Sequence, residues 1–217
     1  MQQLPDSYNP ATLLYSSLTR FGKLYQLNMA KSPEDFLREI EPFRNDWKQY
    51  NPRKPIARYG LGITSLDGGF SGRPDLDSLM EYTRETGIRV NELDIKTPTP
   101  VFEFAQPWMG PMTPWIVRSH VIRMEQGAFF PVHRDNRGMN IRSFRLFVPL
   151  KNCNPPNMYF ILDGKLITFE PGRVYFMDTC LEHTLFTTGF ASWFIVFNVE
   201  ITVESVQTLT THCLAIQ

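Results

Sequence analysis

Short apolar runs alternate with turn residues from about residue 100 onward. The runs are rich in β-branched and aromatic residues and are too short for typical helices, so they predict β-strands. Asp163-Gly164 separates two of them and is typical of a two-residue hairpin turn. The predicted strands cover residues 115–125, 143–150, 158–162, 165–169, 173–177, 184–187 and 193–201.

The first half of the chain has a different, mostly helical pattern. Ser32 followed by Pro33 and two acidic residues is typical of a helix start, with serine as the N-cap. A second helix is predicted over residues 75–85, with Gly87 as its C-terminal stop. Between the two helices, residues 58–63 are predicted to form a strand.

Several short strands in succession favour a sandwich or barrel, here a jelly roll. We therefore expect a mainly β protein with flanking α-helices, built as a double-stranded β-helix of cupin-like type with an N-terminal helical layer. No linker rich in Pro, Gly or Ser divides the chain, so we expect a single domain over residues 1–217. Within it, residues 1–100 form a helical or irregular support region, 101–205 the β-helix core and 206–217 a C-terminal tail.

Composition and charge narrow the class of protein. The chain has 217 residues, 42% of them hydrophobic, as expected of a globular protein. Lys+Arg and Asp+Glu are equal at 22 each, so a nucleic-acid partner is unlikely. Three cysteines without a Cys-x-x-Cys pair suggest reduced thiols, and the N-terminus lacks the features of a signal peptide. We expect a soluble, cytoplasmic protein without a membrane partner; the sequence does not indicate an oligomeric state.

Two histidines and one aspartate carry the strongest chemical signal. His133 and Asp135 form a His-x-Asp pair at the end of an apolar run, and His183 follows a later run. Two imidazoles and one carboxylate on one face of a metal leave positions open, as in non-haem Fe(II) oxygenases. The chain has only four histidines, which leaves little material for an accidental cluster. The residue types alone suit Fe(II), Mn or Zn, and a purely structural role for a histidine is the alternative.

Arg145 is the first candidate for binding an anionic ligand. Strand alternation places Arg145 and Phe147 on one face and their apolar neighbours on the other. An arginine that points into a small barrel needs an anion, because an unpaired buried charge is costly. A dicarboxylate is one solution; a surface position, or pairing with an Asp or Glu across the sheet, is the alternative.

The ordered set of motifs resembles the aspartyl/asparaginyl β-hydroxylase-like branch of the 2-oxoglutarate- and Fe(II)-dependent oxygenases. The resemblance covers about residues 118–200 and rests on His133-Arg134-Asp135, the segment Arg145 to Leu150, and Pro171-Gly172 through Asp178 to His183. It implies Fe(II) held by His133, Asp135 and His183, with 2-oxoglutarate and O2 as co-substrates. The implied reaction hydroxylates an amino acid, a peptide side chain or a similar small molecule and releases succinate and CO2.

Two positions depart from the family pattern. Trp193 stands where relatives often have an arginine that binds the distal carboxylate of 2-oxoglutarate, and Phe147 stands where they often have histidine. We therefore expect Arg145, Phe147 and Trp193 to form the co-substrate site, with a more apolar pocket at the Trp193 end. If Arg145 does not bind the carboxylate alone, the remaining candidates are Arg118, Arg123 and Arg173.

Weaker candidates surround the predicted triad. Five side chains are considered for the primary substrate: Arg118, His120, Asn140, Arg142 and Arg58. The rival reading is a cupin-like metal-binding barrel that does not use 2-oxoglutarate, such as an isomerase, another dioxygenase or a catalytically silent binding module. Such barrels usually cluster their ligands as His-x-His, a pair that this chain lacks.

Overall fold

The computed structural model describes residues 10–135 and 141–213. The helices are α1 (Pro10–Leu18), α2 (Pro33–Glu39), α3 (Leu79–Thr86), α4 (Phe102–Met109) and α5 (Val203–Thr208). The first five strands are β1 (Leu24–Ala30), β2 (Lys48–Gln49), β3 (Arg58–Gly62), β4 (Thr64–Ser65) and β5 (Thr97–Pro98). The others are β6 (Ile116–Met124), β7 (Phe129–His133), β8 (Ser143–Lys151), β9 (Met158–Leu162), β10 (Lys165–Ile167), β11 (Arg173–Met177), β12 (His183–Thr187) and β13 (Ser192–Glu200).

Strands β6 to β13 form a double-stranded β-helix. Four of them lie in a larger sheet in the order β11-β8-β13-β6, and the other four form a smaller sheet in the order β10-β9-β12-β7. The paired strands in both sheets are antiparallel, and the chain passes back and forth between the sheets. This is the jelly-roll topology predicted from the succession of short strands.

The first hundred residues contribute more strand than their sequence predicts. β1 pairs with β11 at one edge of the larger sheet, and β3 followed by β2 extends the other edge, which gives seven strands in the order β1-β11-β8-β13-β6-β3-β2. The predicted helical or irregular region with a strand at residues 58–63 therefore includes β3 but lacks β1 and β2. β1 is a half-buried edge strand, and its conformation is set by pairing with β11 rather than by a strong local pattern.

Two hydrophobic cores lie on the two faces of the larger sheet. The outer core packs α1, α2 and α4 against the sheet through fully buried residues such as Phe36, Trp108 and Phe144. The inner core fills the space between the sheets with Phe147, Phe160 and other apolar side chains. The helical layer thus supports the larger sheet from outside. The space between the sheets is shared by the inner core and the candidate site.

The helix termini follow from local capping. Ser32 accepts a hydrogen bond from the Asp35 amide at the start of α2, as predicted. α3 begins at Leu79 rather than at residue 75, because Ser78 is its N-cap and Asp75 is buried, accepting a hydrogen bond from the Leu66 amide. Gly87 ends α3 in the left-handed conformation, as expected.

The last described residues are helical and packed rather than extended. α5 continues into a turn of π-helix over Leu209–Cys213, and both Leu209 and Cys213 are buried in the outer core. These contacts anchor the C-terminal segment to the helical layer. No helix in residues 10–135 and 141–213 is long and apolar enough to cross a membrane.

Gly172 joins the helical layer to the larger sheet. Its carbonyl accepts a hydrogen bond from the Trp108 indole at 2.8 Å, and its amide donates to the Pro149 carbonyl at 2.8 Å. Its φ is +75°, and a Cβ atom there would lie 2.3 Å from the main-chain oxygen of Lys31. The position therefore requires glycine both for its dihedral angle and for the close approach.

We expect Gly172→Ala to lower the free energy of unfolding much more than Gly164→Ala. Both glycines have positive φ, at +75° and +73°, but an added Cβ at Gly164 has nothing within 4 Å. Gly164→Ala should cost about 1–2 kcal/mol for the left-handed conformation, and Gly172→Ala should cost that plus the clash with Lys31. Urea denaturation of the two variants tests this, and equal losses would contradict it.

A candidate metal centre at the mouth of the cavity

The pairing of β7 with β12 brings the two histidines together. His133 is the last residue of β7, His183 is the first residue of β12, and the two lie directly opposite each other in the smaller sheet. Asp135 lies two residues beyond β7, where its amide donates to the Thr179 carbonyl at 2.9 Å.

The three side chains converge on one point. Their candidate ligand atoms all lie within 4.8 Å of one another. His133 Nε2 is 3.4 Å from Asp135 Oδ1, and His183 Nε2 is 3.9 Å from Asp135 Oδ2. Since metal–ligand bonds to nitrogen and oxygen are roughly 2 Å long, one divalent ion could contact all three with small adjustments.

Main-chain carbonyls orient both imidazole rings. His133 Nδ1 lies 2.6 Å from the Pro131 carbonyl, and His183 Nδ1 lies 2.9 Å from the Leu181 carbonyl. A carbonyl oxygen only accepts hydrogen bonds, so each Nδ1 carries a proton and each Nε2 is the ring nitrogen that remains to face a metal. This second hydrogen bond is the usual way in which a protein fixes the ring of a metal-binding histidine.

The charges around Asp135 keep its carboxyl group ionised. Burial by itself would raise the pKa of Asp135, but the Arg145 guanidinium and the two histidines hold it well below its usual range. Burial lowers the pKa of His183, whereas the hydrogen bond with Asp135 raises the pKa of His133. Asp135 is thus a carboxylate and His183 a neutral imidazole, and these are the protonation states that bind a cation.

Arg145 is paired with the carboxylate of the triad. Its Nε donates to Asp135 Oδ2, and its Nη1 donates to Oδ1 of Asn198, the residue opposite it on β13. Pairing with an acid, one of the alternatives left open by the sequence, is therefore what the structure shows. Within residues 10–135 and 141–213, the hydrogen bonds of this guanidinium are made by Nε and Nη1.

The triad lines a cavity of about 620 Å³, a volume that includes the solvent space at its open mouth. Phe147 shares the inner face of β8 with Arg145, as predicted, and lines this cavity. Aromatic and aliphatic side chains form most of its wall, and its charged lining residues are Asp135, Arg118 and Arg145. The remaining lining residues are Tyr50, His120, Ile122, Phe130, Phe160, Met177, Thr179, Leu185, Phe194, Val196 and Asn198.

Only some of the predicted substrate residues lie at the cavity. Arg118 lines it and donates to the main-chain carbonyls of Asp75 and Asp77, while His120 lines it and is buried. Arg142 is exposed and is not part of the wall.

Asn140 lies outside the described residues. Arg58 is buried beside the wall, with its guanidinium carbon 4.1 Å from the centroid of the Phe130 ring.

Trp193 lies on the other side of the larger sheet, so the structure does not bring it to the predicted co-substrate site. It lines an outer groove with Trp47, whose ring centroid is 5.0 Å away, and Arg123 stacks near both rings. The neighbours Phe194 and Val196 face the cavity instead.

Two of the alternative arginines also lie elsewhere. Arg123 pairs with Glu125, and Arg173 pairs with Glu170 near the surface. Of Arg118, Arg123 and Arg173, Arg118 alone lines the cavity.

Sequence reasoning missed Tyr50, Phe130 and Asn198. Asn198 could have been noticed as a polar residue in an otherwise apolar strand, at a position that alternation places on the inner face with Val196. Tyr50 has no such signal, because it reaches the wall from the segment that follows β2.

The chain was compared with known proteins. No family model and no curated protein sequence matches it. Among solved structures, KdgF from Halomonas sp. is 9% identical, with coverage of 73% of this chain and 88% of that chain and a TM-score of 0.38. An RmlC-like cupin from Shewanella frigidimarina NCIMB 400 is 13% identical, with coverage of 42% and 70% and a TM-score of 0.31.

A salicylate 1,2-dioxygenase from Pseudaminobacter salicylatoxidans is 9% identical, with coverage of 46% of this chain and 24% of that chain and a TM-score of 0.31. These scores are too low to support an argument about function.

The strand order and the three convergent side chains define the chain as a jelly-roll protein with a candidate site for a divalent metal. The narrower resemblance to the aspartyl/asparaginyl β-hydroxylase-like branch stays a prediction.

We expect His133→Ala and His183→Ala each to abolish binding of one Mn²⁺ or Zn²⁺ ion per chain without unfolding the protein. Each substitution removes one of three ligands, while the cores on both faces of the sheet remain. Isothermal titration calorimetry measures the binding, and His212→Ala is the matched control because that side chain is exposed and far from the triad in sequence. Unchanged affinity in both variants would contradict a shared metal site.

Asp135→Ala should also destabilise the metal-free protein, because it leaves Arg145 without its anionic partner. The two side chains are 17% and 22% exposed, so we expect a loss of about 2–3 kcal/mol, below the 3–5 kcal/mol typical of a fully buried pair. Adding Arg145→Met should restore part of this loss. Chemical denaturation of the single and double variants measures the coupling, and strictly additive effects would be inconsistent with the pair.

Proposed function

We propose that this protein is an Fe(II)- and 2-oxoglutarate-dependent dioxygenase that hydroxylates an amino acid, a peptide side chain or a similar small molecule. The observation that carries the proposal is the convergence of His133, Asp135 and His183 at the mouth of a cavity between the two sheets. The reaction would consume 2-oxoglutarate and O2 and release succinate and CO2. The proposal rests further on the motif resemblance over residues 118–200.

The donor set fits an iron(II) ion. His133 and His183 direct their Nε2 atoms toward the site, and Asp135 presents an ionised carboxylate. Two imidazoles and one carboxylate leave three positions of an octahedral ion for other ligands. When bound there, the ion would supply the activation of dioxygen that a side chain cannot provide.

The protein's own contribution is orientation and the exclusion of water. The carbonyls of Pro131 and Leu181 hold the imidazole rings, and Arg145 holds the carboxylate of Asp135. Apolar side chains deeper in the cavity, including Phe147 and Phe194, would keep bulk water from the reacting groups. Nη2 of Arg145, which takes part in neither of the hydrogen bonds to Asp135 and Asn198, would be the donor for a ligand carboxylate.

A second candidate is a metal-binding jelly roll that does not use 2-oxoglutarate. It is favoured by the engagement of Arg145, which already donates to Asp135 and Asn198, and by the position of Trp193 outside the cavity. In that case the metal site would serve another reaction or a binding function. The two candidates share the metal centre and differ in the co-substrate.

Turnover with 2-oxoglutarate distinguishes them. Protein incubated with Fe(II), ascorbate, 2-oxoglutarate and a panel of amino acids and short peptides should release succinate, and His133→Ala should not. Anaerobic titration should give a metal-to-ligand charge-transfer band for bound 2-oxoglutarate. If no succinate forms and no 2-oxoglutarate binds at millimolar concentration, the second candidate is correct.

If Nη2 of Arg145 donates to the co-substrate, Arg145→Ala should weaken 2-oxoglutarate binding by at least about tenfold. The reason is that a charge-assisted hydrogen bond is worth about 1.5–3 kcal/mol. The dissociation constant should be measured on Zn²⁺-loaded protein, with metal affinity determined separately because Arg145 also pairs with Asp135. An unchanged constant for 2-oxoglutarate would exclude this role for Arg145.

A further inference from the structure

Arg58 is a buried cation without an anionic partner. The residue is 3% exposed, and its Nε has no hydrogen-bond partner. Within residues 10–135 and 141–213, the guanidinium forms no ion pair, and Nε is its one atom that is fully buried without a hydrogen-bond partner. Burial lowers the pKa of Arg58, which reflects the cost of keeping this charge away from water.

Arg58 faces the same side of the larger sheet as the cavity. Two residues further along β3, Gly60 lies opposite Ile122, which lines the cavity. Side chains two residues apart on a strand point to the same face, so Arg58 is directed between the two sheets. It lies opposite Met124, another residue of the inner core.

Two aromatic rings connect Arg58 to the metal centre. Its guanidinium carbon lies 4.1 Å from the centroid of Phe130 and 5.4 Å from that of Tyr50. Both rings line the cavity, and Phe130 lies 6.4 Å from the ring of His133. One aromatic side chain therefore separates the unpaired cation from the triad.

The surrounding rings do not compensate for burial of the charge. Cation–π contacts recover only part of what a guanidinium loses when it leaves water, and a permanent counter-ion would recover more. The other two arginines at the cavity do have oxygen partners: Arg118 donates to main-chain carbonyls, and Arg145 donates to Asp135. Of these three arginines, Arg58 is thus the one without an oxygen partner within residues 10–135 and 141–213.

We propose that Arg58, which lies behind the rings of Tyr50 and Phe130 and outside the cavity wall, binds the carboxylate of a small organic acid that extends between these rings from the cavity. The proposal deepens the proposed function, since it takes the cavity beside the triad as the ligand site. A single guanidinium matches the one negative charge and planar shape of a carboxylate better than the roughly double charge of a phosphate monoester. The flanking rings of Tyr50 and Phe130 would contact the apolar part of the acid.

Binding measurements on Zn²⁺-loaded protein test the proposal, because zinc does not turn over the co-substrate. The probes are 2-oxoglutarate and succinate alone, and a panel of amino acids added to protein saturated with 2-oxoglutarate. The variants are Arg58→Met, which removes the charge, and Arg58→Lys, which keeps the charge without the planar fork. Arg142→Met is the control, because that arginine is exposed and outside the cavity wall.

We expect Arg58→Met to keep the zinc affinity and the melting temperature of the parent, or to raise the latter, while weakening carboxylate binding by at least about tenfold. Arg58→Lys should bind with intermediate affinity and serves as the test if Arg58→Met does not fold. Loss of 2-oxoglutarate binding would identify the acid as the co-substrate. Loss of amino-acid binding alone would identify it as the primary substrate.

Carboxylate affinities that are the same in the parent and in both variants would overturn the proposal, as would the absence of carboxylate binding to the parent at millimolar concentration. The test is separate from that of the proposed function. A parent that releases no succinate but binds an organic acid through Arg58 would refute the 2-oxoglutarate chemistry and support the carboxylate site.

Discussion

The antiparallel pairing of β7 with β12 is the constraint on which the candidate site depends. It places His133 directly opposite His183, and the adjacent loop then brings Asp135 to the same point. The strand ends are held by the smaller sheet, while the larger sheet is supported from outside by the helical layer. A site built on paired strand ends needs only small adjustments to bring its three ligand atoms to one ion, which suits a preorganised metal centre.

Electrostatics then determines what such a site can bind. Asp135 is shared between the two imidazoles and Arg145, so the triad is linked through Arg145 to Asn198 on the central strand β13. The network keeps the carboxylate ionised and limits its rotation. The charged groups around the cavity are otherwise cationic, with Arg118 in the wall and Arg58 behind Phe130. A divalent metal would add to this positive charge, and an anionic ligand would balance it.

Much of the β-helix could be predicted because most of its strands have an apolar face, but β7, whose residues are mainly exposed, is absent from the predicted strands. The predicted segments at residues 158–162 and 173–177 agree with β9 and β11, and the turn at Asp163-Gly164 lies where expected. The pattern failed at the edges of the larger sheet, where β1 and β2 are half exposed and depend on their partners. The family resemblance misplaced Trp193, because a position counted from His183 does not specify which face of β13 a residue occupies. Phe194 and Val196 face the cavity instead.

The sequence by itself determined the jelly-roll class, the three candidate metal ligands and the shared face of Arg145 and Phe147. These follow from strand periodicity and from the scarcity of histidine, both of which are local properties of the chain. Only the tertiary structure decided that the two histidines lie in one sheet, that Arg145 is paired with Asp135, and that Arg58 is buried without a counter-ion. The physical reason is that charge pairing and burial depend on residues far apart in the chain, such as Arg58 and Phe130, which meet only when the two sheets pack.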